Sequence, residues 1–511
     1  MVYNYCHLPI LLKSTQNYKE NYCLNFSAYL CIIYIRLAYG GDIMNTKAKR
    51  INDFGKDHVP GLVLRVSVPF MFAQFVNVLY SIVDRIYIGN IPTTGTDSLA
   101  GAGVCAPIIT LLSSFATLIG IGGSILFSMR LGQDDKKDAE RILGNCFSTL
   151  LLFSAVLTVV FLLTKGMLLR WFGASDITYP YADIYLTIYT CGTFFALLSM
   201  GMNYFITAQG YPMLGMVTTL IGAVLNIILD PIFIFVFHMD IAGAAAATVL
   251  AQLSSCLFVL FVLYKKSMPV PLHLRRPELT LVKRILALGF SPFLILATDS
   301  IIIIAMNAVL QYHGGPGYGD TLITCATIVQ SYMMLITSPM LGITGGSQPL
   351  ISFNYGANKP DRIRKIILCV LLLCIGFTSF MFLVSRFLPA AFAGIFTDNA
   401  EYIELSVWGI RAFTMMIIPL SFQYVFVDSL TALGMTSLSL FLSLFRKTTY
   451  FAATCLLPLA FTAASAFYAE PIADGIAALL SSAAFTLVYF KYLRGTGRLV
   501  QIGIGKERSA A

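Results

Sequence analysis

From Gly61 onward the chain alternates between long apolar runs and short polar interruptions, a spacing far longer than the period of one helix face or one strand. A helix needs about 20 apolar residues to cross the hydrocarbon of a bilayer. Twelve runs meet that length: 62–89, 99–129, 140–164, 178–207, 211–236, 241–264, 282–312, 321–350, 362–385, 400–431, 435–460 and 471–493. Several are longer than a straight crossing requires, which predicts tilt, kinks or extension beyond the bilayer. Pro69, Pro107, Pro292 and Pro339 lie inside such runs and predict bends. The pattern therefore predicts an all-α membrane protein of twelve transmembrane helices.

Composition agrees. The 511 residues are 57% hydrophobic and only 12% charged, with a mean hydropathy of +0.79, against about 25% charged in a soluble domain. The net charge of +9 does not point to nucleic acid, because the basic residues sit in short clusters between apolar runs. Alternate loops carry Arg130, Lys136, Lys137 and Arg141, then Lys265, Lys266, Arg275, Arg276, Lys283 and Arg284, then Lys359, Arg362, Arg364 and Lys365. The intervening loops supply only Lys165, Arg170 and Arg386. Fourteen against three predicts the basic loops, the N-terminus and the C-terminus on the cytoplasmic side. The eleven cysteines form no CxxC pair and no Cys/His cluster, and the five histidines are scattered, so they read as packing residues and no metal site is expected.

Residues 1–43 differ from the rest. Gly40-Gly41-Asp42-Ile43-Met44 can be encoded with a purine-rich ribosome-binding sequence just before an ATG. The expectation is a translated upstream extension or disordered N-terminus over 1–43, with Met44 as the natural start.

The two halves resemble each other at a shift of 223–224 residues. Pro69-Phe70 matches Pro292-Phe293, Gly122-Gly123-Ser124 matches Gly345-Gly346-Ser347, Gly132 matches Gly356, and Phe172 matches Phe396. Ala208-Gln209-Gly210 matches Ala432-Leu433-Gly434. A repeat of six spans gives both halves the same orientation, hence two six-helix lobes related by a pseudo-twofold axis along the membrane normal. The expected lobes are 44–264 and 285–495, joined by a cytoplasmic linker over 265–284 and followed by a cytoplasmic tail over 496–511. Two facing lobes suit alternating access better than a static scaffold.

Acids inside the apolar runs are costly and mark function by default. Asp84 and Asp230 each lie about 30 Å from the basic-loop end of a run with the same direction, so they are expected at similar depth in the first lobe. Asn77 and Tyr80 precede Asp84 on its helix face, and Asn226 precedes Asp230 by one turn. Oxygen groups around two carboxylates suit a proton or a hard cation such as Na⁺; the alternative is a pair of acids neutralised by Arg85 or by helix ends. At the repeat shift Asp84 aligns with Asn307 and Asp230 with Thr454, so the ion site is expected in the first lobe alone. Asp299, deep in the seventh run, reads either as a coupling or substrate group or as half of an ion pair with another helix. Arg446 and Lys447 in the eleventh run and Asp428 in the tenth read as structural charge, an Asp–Arg pair. No Walker A loop and no Ser/His/Asp or HExxH arrangement is present, so neither direct ATP drive nor hydrolase activity is expected, and no enzyme function.

Several segments resemble the bacterial MATE (multidrug and toxic compound extrusion) transporters. Val68-Pro69 through Val83-Asp84-Arg85-Ile86-Tyr87-Ile88-Gly89 is similar to their first helix. Asn226-Ile227-Ile228-Leu229-Asp230-Pro231-Ile232-Phe233-Ile234 is similar to their fifth helix, and Gly243-Ala244-Ala245-Ala246-Ala247-Thr248 to their sixth. Gly346-Ser347-Gln348-Pro349 through Gly356-Ala357 resembles the end of their eighth, and Leu442-Ser443-Leu444-Phe445-Arg446 their eleventh. The likeness covers about 60–495, is closest to the MepA-like branch, and implies export of organic cations or amphipathic toxins driven by inward H⁺ or Na⁺, with no cofactor beyond that ion. It implies an ion-coupling set of Asp84, Asp230, Asn226, Asn203, Thr248 and Tyr80; Asn77 and Asp299 are candidate coupling or substrate groups from their positions in the apolar runs alone. The branch usually has a small or apolar residue where Asp299 stands. The expected partners are cationic or amphipathic drugs and the lipid bilayer of a bacterial cytoplasmic membrane, and a monomer suffices. The rival reading is a lipid-linked precursor flippase or polysaccharide exporter of related fold.

Overall fold

Each apolar run becomes a helix whose ends reach past the hydrocarbon-spanning stretch, because polar residues and prolines at the run boundaries are good helix starts. The computed structural model describes residues 52–315, 318–397 and 399–493; the expected extension over 1–43 and tail over 496–511 lie outside them. The first lobe comprises α1 (Val59–Gly89), α2 (Gly95–Gly132), α3 (Lys136–Trp171), α4 (Tyr179–Cys191 and Thr193–Ala208), α5 (Pro212–Pro231) and α6 (Asp240–Tyr264). The second comprises α7 (Leu279–Gly314), α8 (Tyr318–Gly356) and α9 (Pro360–Phe387). It continues with α10 (Ala400–Phe413 and Ile417–Ala432), α11 (Thr436–Ala460) and α12 (Ala463–Leu493). Pro212 and Pro360 sit in the first turns of α5 and α9, where the missing N–H costs nothing. The Asp135 side chain caps α3 by accepting from the Asp138 N–H at 3.1 Å.

Among the described residues ten helices are long and apolar enough to cross a membrane, and the two pieces of α4 make an eleventh crossing bent by 55°. The twelfth, α11, is lowered in hydropathy by Arg446 and Lys447. The linker is shorter than expected, because α7 already begins at Leu279. Two breaks were not foreseen. One is at Gly192, where a Cβ would run into the Val249 side chain of α6. The other is the 3-10 turn Thr414–Met416 inside α10.

Helix contacts carry the duplication. α1 packs on α5 and α8, while α7 packs on α11 and α2; exchanging the halves turns one set into the other. The exchange extends into the cores. Leu62, Val63 and Val66 of α1 are buried among second-lobe residues such as Ile343, Ile363 and Leu430. Leu281 and Ile285 of α7 are buried in the first-lobe core with Ile142 and Cys146. Each lobe thus completes its core with the opening turns of the other lobe's first helix.

Close backbone crossings hold this end together. A Cβ on Gly132 of α2 would overlap the Phe353 carbonyl of α8, and one on Gly356 of α8 would overlap the Met129 carbonyl of α2. The two contacts are equivalent under the repeat. Gly122 meets Ile285 and Gly289 of α7 in the same way, and Gly342 meets Phe70 and Met71 of α1. Without a Cβ the helices approach closely enough for dispersion to replace the hydrophobic drive that lipid does not supply. These crossings lie in the halves of the helices nearest the basic loops, so the lobes are closed at that end.

Two chain segments brace the closed end. Ahead of α1, Asn52 Nδ2 donates to the Gly210 carbonyl of the first lobe at 3.0 Å. The Phe54 carbonyl accepts from Asn354 Nδ2 and Arg362 Nη2 of the second lobe, both at 3.0 Å. The buried Phe54 ring meets Phe353 edge to face at 5.8 Å. At the linker, Arg141 Nε of α3 donates to Glu278 Oε1 at 2.7 Å, and Arg275 pairs with Glu140 of α3 at 2.9 Å. The Arg141 guanidinium holds the Glu278 carboxyl below its usual range. Because that value is depressed, the clamp is intact at neutral pH and weakens only as pH falls through it.

Gly132→Val is expected to open this crossing. Overpacking costs about 1–3 kcal/mol, enough to shift the conformational equilibrium several-fold or more. Spin-label distances between Gln133 and Asn358 should lengthen relative to the parent pair; an unchanged distribution would show that the crossing does not hold the closed state.

Candidate functional site

The first lobe encloses a cavity of about 220 Å³ between α1, α2, α4, α5 and α6. Its wall is polar and aromatic, with Asn77, Tyr80, Tyr189, Asn203, Asn226 and Thr248 among the lining groups. The chain as a whole is 57% hydrophobic, so this concentration of amide and hydroxyl groups stands apart from the packing around it.

The acids lie beside it. Asp230 on α5 is fully buried, and its carboxyl meets that of Asp84 on α1 at hydrogen-bonding range. One of two facing carboxyls must carry a proton to donate to the other, or a cation must stand between them. Asn226 Nδ2 donates to Asp230 Oδ1 at 3.1 Å and to Thr248 Oγ1 at 3.3 Å, so one amide ties the acid on α5 to α6. Thr248 in turn donates to the Ala244 carbonyl at 3.1 Å. Asp84 Oδ1, Asp230 Oδ2 and Asn226 Oδ1 are all buried without a hydrogen-bond donor. A cluster of unfilled acceptor oxygens fits a proton or a small hard cation.

The structure thus brings Asp84, Asp230, Asn226 and Thr248 into one constellation. Tyr80 lies close enough to both acids to feel their charge. Asn203 stands apart from them: it lines the cavity, but its Nδ2 donates to the Gly215 carbonyl at 3.2 Å. Asn77 also lines the cavity and donates to Gln74 Oε1 at 2.9 Å. Arg85 is exposed and makes no ion pair with Asp84 at salt-bridge distance among the described residues. Sequence reasoning missed three groups. Tyr185 lies near both acids, Tyr189 lines the cavity, and Gln252 Nε2 donates to Tyr189 OH at 3.2 Å. Their only sequence signal is four-residue spacing, Tyr185 to Tyr189 and Thr248 to Gln252, which is common to any helix face.

The second lobe disposes of its charges differently. At the positions equivalent to Asp84 and Asp230 stand Asn307 and the buried Thr454. Asp299 pairs with Lys447 of α11, the ion-pair alternative for that residue. The expected Arg446–Asp428 pair is not formed. Arg446 instead donates to Asp474 Oδ1 from Nε and to Glu470 Oε1 from Nη2, at 2.7 and 2.6 Å. Asp428 has Thr344 and Gln348 of α8 as polar neighbours instead. The reason is helical register: Glu470 and Asp474 are one turn apart on α12 and together present two carboxylates to one guanidinium, an arrangement that sequence distance concealed.

Comparison with known proteins agrees with this architecture. The MatE family profile matches residues 69–232 and 296–452. The multidrug export protein MepA of Staphylococcus aureus (strain NCTC 8325 / PS 47) is 24% identical over 396 residues, covering 76% of this chain and 85% of the relative. The Staphylococcus haemolyticus protein of the same name is 25% identical over 332 residues, covering 63% and 71%. Among solved structures, an outward-facing multidrug resistance MATE family transporter superposes with a TM-score of 0.82 at 22% identity, over 88% of this chain and all of that one. A MOP superfamily transporter from Pyrococcus furiosus, described as having a binding pocket of reversed polarity, gives 0.80 at 21% identity, over 87% and 98%.

The charge assignment is testable by thermal unfolding in detergent. Arg446→Met strands the buried Asp474 and should destabilise by about 3–5 kcal/mol. Asp428→Asn breaks no ion pair and should cost about 1 kcal/mol. Equal losses would restore the Arg446–Asp428 pair.

Proposed function

The chain belongs to the MatE family, and from that premise we propose that it is a secondary active multidrug antiporter, exporting organic cations or amphipathic toxins in exchange for H⁺ or Na⁺. The observation that carries this reading is the Asp84–Asp230 pair, buried beside a polar cavity in only one of two otherwise equivalent lobes. A scaffold has no use for two facing acids with unfilled oxygens in a bilayer, whereas a transporter needs a site whose charge changes with the ion it holds.

With the basic loops cytoplasmic, the closed end faces the cytoplasm and the opposite end is the one open to the outside. An ion arriving from outside reaches Asp84 and Asp230. Binding neutralises the pair and changes what Asn226 and Thr248 must bond to, so the packing of α1 against α5 and α6 shifts and the substrate leaves. Return of the lobes exposes the pair to the cytoplasm, where the ion is released. Two carboxyls at hydrogen-bonding range favour a shared proton, since two adjacent charges in a low dielectric repel strongly; the same oxygens can ligate Na⁺. At about 220 Å³ the cavity is smaller than the ~300–1,000 Å³ of a drug-sized pocket, so in this state it serves the ion and the drug uses the space between the lobes.

Ethidium efflux from proteoliposomes under separately imposed proton and sodium gradients tests the reading. Wild type should respond to one gradient, and that gradient names the ion. Asp84→Asn and Asp230→Asn should each lose driven efflux by on the order of tenfold or more. Unimpaired efflux in both variants would move coupling away from the first lobe.

A further inference from the structure

A second cavity, of about 330 Å³, lies in the second lobe at the end opposite the basic loops. It forms where the last turns of α9, the 3-10 break of α10 and the start of α12 meet, and its walls are Phe382, Arg386, Trp408, Arg411, Met415 and Tyr468. Two arginines face it, and the backbone fixes both. Arg386 Nη1 donates to the Arg411 carbonyl at 2.8 Å, and Arg411 Nη2 donates to the Arg386 carbonyl at 3.2 Å. Arg386 also donates to Thr414 Oγ1 at 3.2 Å and lies over the Phe382 ring at 4.4 Å.

None of these partners carries a negative charge. Among the described residues no carboxylate lies at ion-pair distance from either arginine, and Glu404, two turns before Arg411, pairs with neither. One arginine would suffice to hold the α10 break. Two guanidiniums on one pocket repel, and the arrangement becomes favourable when an anion accepts from both, as phosphate oxygens do from paired arginines. Lys and Arg are scarce at this end, as the usual bias has it, yet two of them meet here.

The surroundings select the kind of anion. Trp408 and Tyr468 meet edge to face at 5.7 Å, and such rings favour the level of the lipid headgroups. Leu383, Phe387, Leu388, Met416 and Ile472 present apolar side chains outward nearby, a surface for acyl chains. A free phosphate uses the arginines alone; a phospholipid uses both features. We propose that this pocket binds an anionic phospholipid from the leaflet opposite the basic loops, with Arg386 and Arg411 gripping its phosphate and Trp408 and Tyr468 bounding the headgroup. Lipid then acts on α10 at its break, independently of the ion site in the first lobe.

The test uses the delipidated full-length protein in detergent, titrated with phosphatidylglycerol, phosphatidylcholine or inorganic phosphate, and read by native mass spectrometry and thermal unfolding. Phosphatidylglycerol should bind and raise the unfolding temperature at concentrations where phosphatidylcholine does neither. Arg411→Gln, at an exposed position, should weaken phosphatidylglycerol about fivefold, and Arg386→Gln with Arg411→Gln about that factor again. Arg411→Lys should recover most of the loss. Phosphatidylglycerol binding unchanged in Arg411→Gln, or matched by phosphatidylcholine, would overturn the site. Displacement of phosphatidylglycerol by millimolar inorganic phosphate would overturn the lipid as its occupant.

Discussion

The structure depends on a reciprocal exchange at one end of the bundle. The opening turns of α1 complete the core of the second lobe, and those of α7 complete the core of the first. In lipid there is no hydrophobic drive to bring helices together, so this exchange relies on close packing. Gly132 and Gly356 make it possible, each accepting the other helix's backbone where any side chain would stand. The strap around Phe54 then ties the lobes together, and the clamp around Glu278 ties the linker to the first lobe. These contacts lie at the end of the bundle nearest the basic loops, where the two lobes are held together.

Within that symmetric frame the chemistry is unsymmetric. The first lobe leaves carboxyl and amide oxygens unfilled around Asp84, Asp230 and Asn226. The second lobe satisfies most of its buried charge: Arg446 takes Asp474 and Glu470, and Lys447 takes Asp299. A charge already matched by a neighbouring helix is a fixed brace, since breaking a buried pair costs several kcal/mol. An acid whose neighbour is another acid has no such fixed partner. The repeated packing is present in both halves, while the facing acids Asp84 and Asp230 stand in the first alone.

The legible and illegible parts of the site divide along the same line. Asp84 and Asp230 were visible because an acid in an apolar run is expensive wherever it lands, and their equal depth followed from helical rise. Asn226 and Thr248 were visible through local spacing and family likeness. The partners of Asp299 and Arg446 were not, since both lie on other helices, and the choice of Asp474 over Asp428 rests on rotations that residue spacing does not encode. Tyr185 and Tyr189 escaped notice because aromatic residues are ordinary packing in such helices. The break at Gly192 escaped because its cause, Val249, lies on another helix.

By itself the sequence determined the number of crossings, their approximate limits, the duplication, the asymmetric placement of acids and the class of basic and non-basic ends. These follow from one-dimensional quantities: hydrophobic length against bilayer thickness, charge against desolvation, and repeat against shift. Only the tertiary structure decided which helices exchange between the lobes, which end is shut, which charges neutralise one another, and that Arg386 and Arg411 meet across one pocket. Those outcomes depend on the rotation and close approach of helices distant in the chain, which packing sets and no single run of residues contains.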